Sequence, residues 1–271
     1  MQPVAFITGA ASGVGKHLAE TLLKKHYRLM LTDVREDALR EAFTPSGDVH
    51  LRQLDIRSAD EWQRALDETL EAFGRLDYLF NIAGIVIPSF LTDTSLEDIE
   101  RQIDTNLKGT IYGTYFAARR MVDQGSGHIL NMASLAGVSP VPGMEIYTAS
   151  KFGVRGFSIA AGITLREHGV YVTVICPDLI NTPMLDVQLE RPKESALAFA
   201  SSRPLEVEEV VNAILYAMRK KPLEVTLPLS RGVLAKIGST FPSLGPFIYR
   251  VLRSRGLKRA ANMTRARGEA R

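Results

Sequence analysis

The chain has 271 residues and a mass of 29.9 kDa, and its 45% hydrophobic and 23% charged residues exclude a disordered or low-complexity polymer while allowing one large α/β domain. No apolar run reaches the roughly 18 residues that span a bilayer, and the single cysteine, Cys176, excludes an intrachain disulfide or a Cys-rich metal cluster, so no metal site is expected. The net charge of +3 is uneven: residues 230–271 hold ten Lys/Arg against one acid, Glu269, leaving 23 basic and 29 acidic residues in 1–229 and excluding a basic, nucleic-acid-binding body.

In chain order, Met1-Gln2-Pro3 leads directly into Val4-Ala5-Phe6-Ile7 with no basic or cleavable leader. No secretion signal is expected, and a reducing, cytoplasmic setting is. The predicted strand Val4–Thr8 runs into Thr8-Gly9-Ala10-Ala11-Ser12-Gly13-Val14-Gly15, followed by a helical pattern near 13–25. A strand-to-helix turn of small residues lets the backbone approach a pyrophosphate, whose charge the free N–H groups and the helix dipole stabilise. The spacing is G-x-x-x-G-x-G rather than G-x-G-x-x-G, and Lys16-His17 lacks the Lys-Ser/Thr ending of a triphosphate loop. Gly9, Ala11, Ser12, Gly13, Val14 and Gly15 are candidate dinucleotide-binding residues.

The second strand, Arg28–Asp33, places Asp33 18 positions beyond Gly15, where a carboxylate accepts hydrogen bonds from an adenosine ribose and repels a 2′-phosphate. This favours NAD over NADP, with Arg35 as the counter-evidence, because its guanidinium could turn toward a 2′-phosphate. The third strand, Val49–Asp55, ends on Asp55 and Ile56, where the Asp55 side chain could bond an adenine amino group. A helix near 59–73 follows, and the fourth strand, Tyr78–Ile82, closes on Asn81-Ile82-Ala83-Gly84, small enough for the backbone to approach a cofactor ribose.

A helical pattern over 96–122 contains Asn106, whose amide needs partners if buried and, holding a water, could connect Lys151 to solvent. The fifth strand, His128–Met132, is followed by Ser134 at the carboxyl edge, where open α/β sheets bind ligands. The helix over 147–167 opens with Tyr147-Thr148-Ala149-Ser150-Lys151, and positions i and i+4 share a face, so the phenol and the ammonium can enter one cleft. A free phenol titrates near ~10; a nearby ammonium and a cationic nicotinamide could lower that by about three units, making Tyr147 a usable acid/base. The sixth strand, Val170–Cys176, leads to Pro177; a helix over 206–220 and a seventh strand, Glu224–Leu227, complete the alternation. Such alternation predicts an α/β, doubly wound, seven-stranded parallel sheet with helices on both faces.

Order, spacing and context together resemble the short-chain dehydrogenase/reductase family over residues 3–229. Thr8 to Gly15 is similar to its T-G-x-x-x-G-x-G loop, Asp55 to its adenine-contact Asp, and Asn106, Ser134, Tyr147 and Lys151 to its catalytic tetrad. The resemblance implies a single Rossmann-like domain, proton transfer by Tyr147, hydride transfer at C4 of the nicotinamide, and a Lys151 contact to the nicotinamide ribose. It also implies a homodimer or homotetramer. Two departures stand out: the family's N-N-A-G reads Asn81-Ile82-Ala83-Gly84, and its P-G reads Pro177-Asp178. Thr182, placed to contact the carboxamide, is retained, and Ile180 could reach the same group through its backbone.

Residues 178–205 form a long connection with Pro183, Pro192 and Pro204, read as a substrate lid on the catalytic domain 1–229. Leu135, Val138, Val141 and Met144, with Met184, Leu185, Leu189 and Phe199 from the lid, predict a lipophilic secondary alcohol or ketone, with Glu145 as a polar residue able to orient a substrate hydroxyl. The basic extension 230–271 carries apolar residues at three- and four-residue spacing over 231–259, interrupted by Pro242 and Pro246. Two short amphipathic helices are expected there, packed on the body or on a second subunit, or lying at a membrane surface. The competing functional reading is a non-catalytic dinucleotide-binding sensor or scaffold recruited through this tail; nucleic-acid binding is not favoured.

Overall fold

Side chains alternate across a strand, and in Val4–Thr8 both faces are apolar, the pattern of a strand covered on each side by helices. The computed structural model describes residues 2–201 and 203–269, the last three by backbone only; Ala270 and Arg271 of the basic extension lie outside the described residues. Val4–Thr8 (β1) is followed by Gly13–Leu23 (α1), Arg28–Asp33 (β2), Glu36–Ala42 (α2), Val49–Gln53 (β3), Ala59–Phe73 (α3) and Tyr78–Asn81 (β4). The second half contains Leu96–Ile103 (α4), Gly109–Gln124 (α5), Gly127–Met132 (β5), Glu145–Thr164 (α6), Val170–Pro177 (β6), Pro183–Glu190 (α7), Val207–Lys220 (α8) and Glu224–Leu227 (β7). Leu229–Thr240 (α9) and Gly245–Glu269 (α10) form the extension.

The strands make one parallel sheet in the order β3-β2-β1-β4-β5-β6-β7. Strand order reverses between β1 and β4, and the loops leaving their carboxyl ends diverge to open a crevice. Ala5 and Ile7 of β1 join Leu18 of α1 and Val210 and Ile214 of α8 on one face. Val4 and Phe6 meet Trp62 and Leu66 of α3 and Met121 of α5 on the other. Trp62 is fully buried, stacks on Phe6 with centroids 5.5 Å apart, and donates its indole N–H to the Ile56 carbonyl.

The predicted elements hold with four differences, one of them a helix, Pro183–Glu190 (α7), inside the long connection 178–205. The α2 turn, Glu36–Ala42, was not anticipated: only Leu39 is buried on it, too little apolar spacing to show a period. The pattern over 96–122 is interrupted by a π-helical turn, Asp104–Lys108, which widens the backbone around Asn106. In the tail the second helix runs 25 residues instead of staying short. Pro242 lies in a 3-10 turn and Pro246 in the first turn of α10, where its missing N–H removes no intrahelical bond, so both prolines begin structure.

One core group sets an acid limit on stability. His128 of β5 is buried, with Nε2 2.9 Å from Thr173 Oγ1 and Nδ1 without a hydrogen-bond partner among the described residues. Burial, helped by the charge of Lys221, pushes its imidazole down from 6.5 to about 3. The unfolded chain therefore takes up a proton that the folded chain refuses, so this contribution is complete above pH ~6.5 and is lost as pH falls toward 3. At pH 5 the loss is about 2 kcal/mol. Thermal melts at pH 8 and pH 5 should show it, and His128→Gln should remove most of the difference. An unchanged difference in the variant would assign the acid sensitivity to other groups.

Candidate active site

The turn after β1 is shaped by contacts that exclude side chains. Gly9 has φ +70°, and a Cβ there would lie 3.0 Å from the Ala83 Cα, while a Cβ on Gly15 would overlap the carbonyl oxygen of Gly9. Ala10 N–H donates to the Thr32 carbonyl and Ala11 N–H to Asp33 Oδ2, fixing the turn against β2. Ser12 is the N-cap of α1 but makes no side-chain cap bond; its Oγ accepts from Arg35 Nη2. The helix thus presents an N-terminus uncapped by a side chain at the crevice, suited to an anion.

From this turn a cavity of about 1700 Å³ runs along the carboxyl rim. Asp33, Asp55 and Ile56 line one end and Ser134, Tyr147, Lys151, Pro177 and Ile180 the other, with Gly9, Ser12, Gly13, Val14, Ala83, Gly84 and Thr182 between them. The volume is large enough for a dinucleotide, and glycine keeps the wall open where side chains approach: a Cβ on Gly13 would lie 3.3 Å from Thr182 Cγ2, and one on Gly84 3.4 Å from Lys151 Nζ.

At the end nearest β2 and β3, Asp33 is nearly buried. Its Oδ2 holds the Ala11 N–H at 3.1 Å and its Oδ1 holds the Arg35 N–H at 3.0 Å, with the Arg35 guanidinium across the carboxylate. Arg35 is therefore tied to Asp33 and Ser12. Asp55 also lines the cavity, but Arg57 Nη2 sits 2.6 Å from its Oδ2 and holds its carboxyl below the usual range.

At the other end, Tyr147 and Lys151, one turn apart on α6, both face the cavity and are buried. Lys151 Nζ lies 5.7 Å from the Tyr147 ring centroid and donates to the Met132 carbonyl at 3.0 Å. Burial pushes the phenol up to about 12, with a hydrogen bond from Ser134 pulling the other way. Burial also pushes the ammonium down, to about 8. In the protein alone, burial sets the direction for the phenol, with the Ser134 hydrogen bond opposing it; the lowering expected from spacing involves a cationic nicotinamide as well as the ammonium. Ser134 Oγ, at the end of β5, also accepts the Ala136 N–H and lies 3.5 Å from the Pro177 carbonyl.

Several sequence-chosen residues support the wall from behind. Ala11, Gly15, Asn81 and Asn106 do not line the cavity. Asn81 turns inward to Asn131 Oδ1 at 2.9 Å and to Thr114, while Asn106, fully buried on the π turn, accepts from Ile85 N–H at 2.8 Å and donates to the Ile85 carbonyl and Ser150 Oγ. Glu145 does not face the cavity either; its Oε1 accepts the Gly143 N–H, closing the loop before α6. Val138, Leu189 and Phe199 are core residues instead of pocket wall, Phe199 packing with Ala260 of α10.

Sequence reasoning missed three supports. Thr8 Oγ1 accepts both Ile82 N–H and Ala83 N–H, and Gln102 Oε1 accepts Ile87 N–H, so the segment after β4 is held from two sides. Arg231 of α9 pairs with Asp178 at 2.9 Å beside Pro177. Only the Pro177-Asp178 departure hinted at this pair; Thr8 opens the glycine motif, but nothing in the motif shows that its hydroxyl holds the segment after β4, and Gln102 carries no pattern that marks it.

Comparison with known proteins gives a consistent picture. A family model described as short chain dehydrogenase matches residues 3–193. An uncharacterized oxidoreductase of Staphylococcus saprophyticus is 31% identical, covering 80% of this chain and 91% of that protein. A sulfoacetaldehyde reductase of Chromohalobacter salexigens is 33% identical over 80% and 88% of the two chains. Among solved structures, a short-chain dehydrogenase/reductase from Burkholderia phymatum in complex with NAD superposes with a TM-score of 0.79 at 28% identity, covering 90% of this chain and 95% of that one.

Proposed function

The chain belongs to the short-chain dehydrogenase family and is a nicotinamide-dependent oxidoreductase; from that premise we propose that it interconverts a lipophilic secondary alcohol and its ketone, using NAD and Tyr147 as the general acid/base. The observation that carries this reading is the meeting of Ser134, Tyr147 and Lys151 on one wall of the cavity that begins at the glycine turn. When bound, the cofactor supplies or accepts the hydride. Gly9, Ser12, Gly13 and Val14 would hold its pyrophosphate, Asp33 the adenosine ribose, Asp55 and Ile56 the adenine, Ala83, Gly84 and Lys151 the second ribose, and Pro177, Ile180 and Thr182 the carboxamide.

Ser134 donates a hydrogen bond to the substrate oxygen, and Tyr147 takes the alcohol proton in oxidation and returns one in reduction. Lys151 places positive charge beside the phenolate as it forms. Asn106 positions these groups through Ser150 and the Ile85 backbone.

Val86, Leu135, Val141, Met144, Met184 and Leu185 around the reacting end support an apolar substrate. The Arg231 guanidinium there is matched by Asp178, so it adds no unpaired charge. NAD is supported by Asp33 and by the engagement of Arg35 with it; the Burkholderia phymatum relative holds NAD. A homodimer or homotetramer is supported by apolar side chains exposed on α5 and α6, including Tyr115 and Phe152.

The test is a panel of secondary alcohols of increasing apolar bulk with NAD and with NADP. The expected result is kcat/KM that rises with apolar bulk and is at least tenfold higher with NAD, and Asp33→Ser should narrow or invert the cofactor ratio. A preference for NADP in the unaltered protein, or for small charged substrates, would overturn the corresponding half of the proposal.

A further inference from the structure

The cavity extends past the lid, and its mouth is framed by the extension: Leu234, Ile237, Phe241, Leu244, Ile248 and Leu252 of the α9–α10 region line it. Nine of the seventeen exposed large hydrophobic side chains among the described residues fall between Leu229 and Val251, with Phe247 79% exposed. Isolated exposed apolar residues are ordinary, but a concentration around a cavity mouth marks a surface that meets another apolar phase. Every one of the eight formal charges from 229 to 266 is positive. Arg250, Arg253 and Lys258 border a shallow groove on α10, and the Arg253 Nε is buried without a hydrogen-bond partner among the described residues.

We propose that α9 and α10 form a docking rim for an anionic lipid surface, with the cavity mouth turned to the bilayer. No described helix is long and apolar enough to cross a membrane, so the attachment is interfacial: apolar side chains enter the headgroup boundary and the cations meet lipid phosphates. Charge complementarity selects this occupant. A second copy of the chain meeting this face symmetrically would set cation against cation, and a nucleic acid would leave the apolar side chains unmatched.

The same helix grips the lid. Gly256 packs so closely that a Cβ would overlap the Ala196 carbonyl, and Arg259 Nη1 donates to the Ala200 carbonyl at 2.6 Å and to that of Ser201. Docking face and lid are therefore packed together on one side of the mouth. Substrate entry from the bilayer rests on the lipophilic-substrate reading; docking itself does not.

The experiment is vesicle flotation of the full chain, without substrate, on phosphatidylcholine alone and with about 30% phosphatidylserine, at low and high salt. The protein should float with the anionic vesicles at low salt, at least tenfold more than with neutral ones, and be released by salt. Phe247→Glu with Val251→Glu, both on exposed side chains outside the cavity wall, should abolish flotation while leaving turnover of a small soluble ketone unchanged. No flotation, equal binding to neutral vesicles, or self-association or binding to an acidic protein or nucleic acid in place of vesicle binding would overturn the proposal. Flotation by a protein that ignores lipophilic alcohols would uphold the docking and overturn the substrate reading alone.

Discussion

Tyr147→Phe should reduce kcat by about a thousandfold in both directions while changing NADH affinity less than threefold. General acid/base catalysis contributes roughly 10² to 10⁴ in rate, and this substitution deletes the hydroxyl proposed to exchange the proton with substrate while preserving the ring. The ring is buried among Val86, Ala136 and Met144, so its packing survives the loss of one oxygen. Ser134 loses a hydrogen-bond partner but keeps the Ala136 N–H. Steady-state kinetics and a fluorescence titration with NADH separate the two effects. A variant retaining a tenth of wild-type kcat would show that another group moves the proton.

The second large effect is expected at Gly15, where even one methyl group should raise the NADH dissociation constant at least a hundredfold. A Cβ there would overlap the Gly9 carbonyl oxygen and would approach Ala10 Cα within 3.2 Å; both obstacles are backbone and cannot rotate away. Relief requires the turn to move from α1, which separates the backbone donors that would hold the pyrophosphate. Overpacking of this kind costs about 1–3 kcal/mol, so Gly15→Ala should also melt several degrees lower. Titration with NADH below the melting transition isolates the binding loss. Wild-type affinity in Gly15→Ala would show that this turn is not the pyrophosphate seat.

The sheet was legible because its strands announce themselves in apolar runs and its helices in three- and four-residue spacing: all seven strands lie where those signals put them, within two residues. The glycine turn and the Tyr147–Lys151 pair were legible because close backbone approach and one-turn spacing leave marks in the chain itself. What could not be read was direction. Asn106 and Glu145 are polar residues near the site, yet both turn to backbone groups of adjoining loops, and nothing in a one-dimensional pattern distinguishes a side chain aimed at a cavity from one aimed at a loop. The electrostatic balance was equally hidden. Spacing shows that an ammonium lies near a phenol, but the burial of both, which pushes their titrations the other way, depends on the lid and on the segment after β4.

This balance makes the central claim accessible to one measurement. If Tyr147 carries the proton, single-turnover oxidation must rise with pH and reduction must fall with pH, because the base is needed unprotonated and the acid protonated. The measurement is the pH dependence of single-turnover rates in both directions, in the unaltered protein and in Tyr147→Phe. The expected result is two opposed profiles sharing one apparent pKa in the first and flat residual rates in the second. Opposed profiles that persist unchanged in Tyr147→Phe would contradict the assignment.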